Sequence, residues 1–149
     1  MLEFPLETNR VLREAGWEPG RRVDPERWLV AFEEEELRGH AAARDFLAEF
    51  GGLAVGHHGH GVSRTREPFA FDPLLCLGEG DRFAEWGALI GRVIFPVGEH
   101  DGGRFFLGID ETGELYLVET RLASFGVMPE AMNRLVLGVQ PKVVDGRFR

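Results

Sequence analysis

Between Val93 and Phe125 four apolar runs follow one another with short breaks, and that spacing decides most of what the chain can become. The runs are Val93 to Val97, Arg104 to Ile109, Leu115 to Val118 and Leu122 to Phe125. Asp101-Gly102-Gly103 and Glu111-Thr112-Gly113 separate the first three. Both are turn chemistry, because glycine reaches backbone angles closed to other residues and aspartate folds its carboxylate onto nearby amides. Parallel neighbours would need a crossover of a dozen or more residues, and no gap here is that long. The runs predict an antiparallel meander.

Helical signals flank it. Pro5 opens a segment whose Leu6, Val11 and Leu12 fall near one face, with Gly16 as the stop. Asp24-Pro25 pairs a capping side chain with a proline suited to a first turn, ahead of Trp28, Leu29, Phe32 and the run Glu33 to Glu36. His40 to Phe50 has Phe46, Leu47 and Phe50 at helical spacing and ends at Gly51-Gly52. Leu53 to Val55 and Phe69 to Phe71 read as short strands, separated by a loop that begins at the Gly- and His-rich piece Gly56 to Gly61. Gly80-Asp81 starts a helix through Phe83, Trp86, Leu89 and Ile90, and Pro129 starts the last, through Ala131, Leu135 and Val136. After Val139 the pattern fades into what reads as a loose tail. The expectation is a single α+β domain over residues 1–138 with a tail over 139–149.

At 149 residues, 44% of them hydrophobic, the chain is long enough to bury a core without metal or disulfide. Its formal net charge of −8 argues against sequence-independent nucleic-acid binding, which needs surplus cation, and against docking on an anionic membrane. One cysteine, Cys76, fits a reducing cytoplasm, and the opening residues lack the pattern of a secretory signal. No apolar stretch approaches the length of a membrane helix. Sixteen of the 17 basic residues are arginine, which fits a GC-rich bacterial coding bias.

Catalytic signatures are missing. His57, His58 and His60 could in principle hold a metal, but glycines flank them and no further ligand recurs nearby, so they read as a solvated loop. Neither Ser63 nor Ser124 sits in a nucleophile elbow, and Cys76 lies in the apolar run Leu74 to Leu77 as a small hydrophobe. Asp110 and Glu111 stand in a hairpin turn, where acidic residues serve backbone geometry. No site for a metal or cofactor is expected.

The order of motifs resembles the third subfamily of the SUKH superfamily of bacterial immunity proteins. Its carriers are Leu12 to Trp17 with Pro19 to Val23, Ala43 to Leu53, Phe71 to Leu74, Ile94 to Glu99, Phe106 to Tyr116 and Glu130 to Gly138. The resemblance implies a SUKH-type α+β fold and no catalytic residues. It also implies neutralisation of a cognate toxin, commonly a nuclease or deaminase, by direct binding. A non-catalytic regulatory or scaffold module of the same superfamily is the alternative.

The partner then expected is a protein with a basic active-site groove. The acidic run Glu33, Glu34, Glu35 and Glu36, read as a helix face, would meet it, with Glu99 and Asp101 as a second acidic candidate. Trp17, just past a helix end, and Phe69 are the candidate aromatic anchors, although inward packing is the favoured reading of Trp17 in its rigid turn.

Overall fold

The meander predicted from Val93 onward is present, and further strands join it at both ends. A computed structural model describes residues 4–144. Among these, seven strands form one sheet: β1 (Ala54–Val55), β2 (Phe69–Ala70), β3 (Phe95–His100), β4 (Phe105–Ile109), β5 (Glu114–Val118), β6 (Leu122–Val127) and β7 (Lys142–Val143). Their order across the sheet is their order along the chain, and every pair is antiparallel. The helices are α1 (Leu6–Glu14), α2 (Glu26–Ala31), α3 (Ala41–Phe50), α4 (Gly80–Ile90) and α5 (Glu130–Leu137).

β3 is covered on both faces, which explains its near-continuous burial. Pro96 cannot donate to a ladder, and the register shifts between Pro96 and Gly98 to accommodate it. Gly98 is required there: a Cβ would collide with the Ala70 carbonyl of the neighbouring strand. The Cys76 thiol donates to the Gly98 carbonyl at 3.1 Å, and burial pushes that thiol far above its usual range. It is an inert core group.

Local signals account for the helix ends. Pro25 holds the N-cap position of α2, one residue later than the sequence suggests, and the Asp24 carboxylate before it accepts the Glu26 amide at 3.0 Å. The His40 ring accepts the Ala43 amide at 3.1 Å to start α3. α3 turns Ala43, Phe46, Leu47 and Phe50 inward, and the ring of Phe46 meets those of Phe71 and Phe50 at 5.0 and 5.1 Å. α1 differs from expectation. Its buried face is Thr8, Val11 and Leu12, and Leu6 is 88% exposed, because its place two residues before Thr8 puts it on the opposite side of the helix.

The hairpin between β4 and β5 is built on Asp110, which is fully buried. Its carboxylate accepts the Thr112 amide at 2.8 Å, the Glu114 amide at 3.1 Å, the Tyr116 hydroxyl at 2.7 Å and Arg92 at 2.8 Å. Burial alone would raise its pKa, but these hydrogen bonds more than offset that and lower it. The turn reading of Asp110 holds for this reason.

Beyond Val139 the chain does more than trail away. Lys142 and Val143 pair with Ser124 and Ala123 as the edge strand β7, which the lack of periodicity did not foretell. Residues 145–149 of the expected tail lie outside the described residues.

Candidate partner-binding surface

The acidic run does not continue α2. Phe32 is fully buried and closes the helix, Glu33–Glu35 form a single 3-10 turn, and Glu36 adopts the left-handed conformation with φ of 62°. That reversal returns the chain so that Leu37 enters the core at 6% exposure. The expected acidic helix face is therefore corrected to a tight acidic turn.

Within the turn the four glutamates part ways. Glu33, Glu34 and Glu36 are exposed. Glu35 points back into the protein, where its carboxylate accepts the amides of Gly80 at 2.7 Å and Gly78 at 3.1 Å. Gly80 is the first residue of α4, so Glu35 satisfies a helix-start donor that α4 cannot satisfy itself. The fit depends on glycine: a Cβ on Gly80 would occupy the carboxylate's place. Glu35 is a fastener between two segments, not a surface charge.

The segment it fastens begins with a second 3-10 turn, Pro73–Cys76. The Asp72 carboxylate accepts the Leu74 amide at 3.0 Å and starts it. Three residues per turn carry Pro73 and Cys76 inward together and push Leu74, Leu75 and Leu77 outward, at 39, 44 and 48% exposure. α2 packs against this turn and carries the exposed Val30. The result is a cluster of exposed aliphatic side chains beside three free-standing carboxylates. Exposed aliphatic clusters with polar rims mark interaction sites. The sequence pattern concealed it, because Leu74-Leu75-Cys76-Leu77 reads as core. The Asp72-Pro73 start with a three-residue period was the signal available.

The other predicted contacts lie elsewhere. Glu99 is half-buried on β3, one residue past the Gly98 that packs against Cys76. Asp101 occupies the following turn with φ of 56° and pairs with Arg104 at 3.4 Å. Trp17 and Phe69 are 2% and 4% exposed, which corrects their reading as anchors for a partner and agrees with the inward packing favoured for Trp17. Trp17 stacks near Phe50 and donates from its indole nitrogen to Glu49 at 2.9 Å, while Phe69 packs against Phe71. A tryptophan after a helix end here completes the core under α3.

His57 lies 3.5 Å from Glu14 and His58 3.8 Å from Glu67, each turned to a different carboxylate, and His60 is exposed. Among the described residues no group of three or more His, Cys, Asp or Glu side chains is arranged to hold a metal. Ser63 accepts the Gln140 amide and Ser124 donates to Glu114, both as structural contacts. No helix among the described residues is long and apolar enough to cross a membrane.

No curated protein and no solved structure matches this chain. A family model described as SUKH-3 immunity protein matches residues 4–138, which spans every helix and all strands but β7. The protein belongs to the SUKH-3 immunity protein family, and its role is immunity to a toxin.

Proposed function

We propose that the protein neutralises its toxin by stoichiometric binding over the toxin's active site in the cytoplasm, without catalysis, and that the toxin acts on nucleic acid as a nuclease or deaminase. The observation that carries this reading is the exposed trio Glu33, Glu34 and Glu36 beside Leu74, Leu75 and Leu77. An enzyme that handles nucleic acid needs a basic groove to hold phosphates. Carboxylates on a firm turn can occupy those positions while offering nothing to cleave. Glu35 supplies the firmness by tying the turn to α4.

Charge alone would give fast association rather than tenacity. Protection from a lethal enzyme calls for a sub-nanomolar complex, which means more than about 12 kcal/mol. The leucines supply the apolar centre that such affinity requires, with the glutamates as its charged rim. Glu99 and Asp101 stand as a second acidic contact on β3 and its turn.

Co-expression with a cognate toxin tests the reading. The expected result is cell survival and a one-to-one complex on purification. Leu75→Asp, at an exposed position, should abolish both while leaving the melting curve in place. Survival without any complex would contradict inhibition by binding.

A further inference from the structure

A pocket of about 180 Å³ opens between α3 and the β4–β5 hairpin, on elements separate from the acidic turn. Its α3 wall is one helical stripe: Ala42, Asp45, Phe46, Glu49 and Phe50 recur at three- and four-residue spacing. Phe46, Phe50, Ile109 and Met128 make the interior apolar, and among the described residues the charges lining it are the carboxylates of Asp45 and Glu49. Asp45 is exposed, and its carboxylate has no partner among the described residues. Glu49 is held in place by Trp17, whose indole donates to one carboxylate oxygen at 2.9 Å and leaves the other for a ligand. The guanidinium of Arg21 donates to the backbone carbonyls of Glu49 at 2.6 Å and Gly51 at 2.9 Å rather than to either carboxylate. Neither carboxylate forms a salt bridge among the described residues, and both stand beside an apolar recess.

We infer that this pocket seats one arginine side chain projecting from the toxin. The aliphatic stem lies on Phe46, Phe50 and Met128, and the guanidinium stands between Asp45 and Glu49. A long cationic side chain buries its stem while its head stays at the surface. The planar fork of arginine meets two carboxylates at once, which an ammonium cannot do with the same geometry. The space suits one side chain and is too small for a groove-bound helix. The inference rests on the proposed toxin binding only for the source of the arginine, since the pocket's chemistry stands on its own residues.

The test uses the full-length protein and two small probes, n-butylguanidinium and the isosteric but neutral n-butylurea, titrated while backbone amide resonances are followed. The expected result is saturable shifts at Phe46, Phe50, Ile109 and Gly113 with the guanidinium, and markedly weaker binding of the urea. Asp45→Asn, at an exposed site, should weaken the guanidinium by about three- to fivefold and leave the urea unchanged. Equal binding of the two probes, indifference to Asp45→Asn, or no saturable shift at these residues would each overturn the assignment. Since no toxin is present, such a failure is distinct from a failure of toxin neutralisation.

Discussion

Glu35 reaches across 45 positions of sequence to accept the Gly80 amide at 2.7 Å, and this contact holds the acidic turn against the start of α4. It divides four adjacent glutamates into one structural group and three available for a partner. Two kinds of substitution effect follow from that division.

Replacing Glu35 by alanine leaves the Gly78 and Gly80 amides without their acceptor. The loss resembles removal of a helix cap and should cost about 1 kcal/mol. Glu33→Ala and Glu34→Ala, at exposed positions, should each stay within about 0.5 kcal/mol of wild type. Urea unfolding of the three variants separates the roles, and equal effects at all three would contradict them.

Asp110 presents the opposite case, a buried charge that must be paired. Asp110→Asn strips the charge that faces Arg92 and disturbs five hydrogen bonds, so it should destabilise the fold by about 3 kcal/mol. Tyr116→Phe removes one of those donors and should cost about 2 kcal/mol. Denaturant midpoints check both. A neutral Asp110→Asn would show that the hairpin does not depend on this carboxylate.

His100 sets an acid limit on stability. It is buried beside Phe105, its Nδ1 has no hydrogen-bond partner, and burial together with nearby Arg64 lowers its pKa from 6.5 to about 4, against an opposing pull from Asp101. The folded protein therefore refuses a proton that the unfolded chain accepts. Stability is fully present above pH 6.5 and falls as pH drops toward 4, by up to about 3 kcal/mol. His100→Leu should flatten that slope. Unfolding measured from pH 7 to pH 4.5 is the check, and an unchanged slope in the variant would assign the loss to other groups.

Much of this architecture was readable because local chemistry and tertiary packing agree. The glycine turns after β3 and β4, the Asp24-Pro25 start of α2 and the stop at Gly51 each act within a few residues, so the sequence alone displays them. The acidic turn was misread because helical continuation past Phe32 is defeated by two distant demands: Leu37 must reach the core, and Glu35 must reach Gly80. β7 was missed because two exposed residues carry no pattern and gain their strand geometry only by pairing with β6. Trp17 and Phe69 have side chains suited equally to core and interface, and only the packing around Phe50 and Phe71 decides for the core. The leucine surface escaped for the converse reason, since an apolar run looks buried until a 3-10 turn divides it.

The proposed complex sets the exposed carboxylates of the Glu33–Glu36 turn against a basic groove on the toxin. Its most direct test is the association rate with purified toxin from low to high salt, for wild type and for Glu33→Gln, Glu34→Gln and Glu36→Gln combined. The wild-type rate should fall about tenfold or more as salt screens the attraction, and the triple variant should start lower and respond less. A rate indifferent to salt, and equal in the variant, would contradict charge complementarity at this turn.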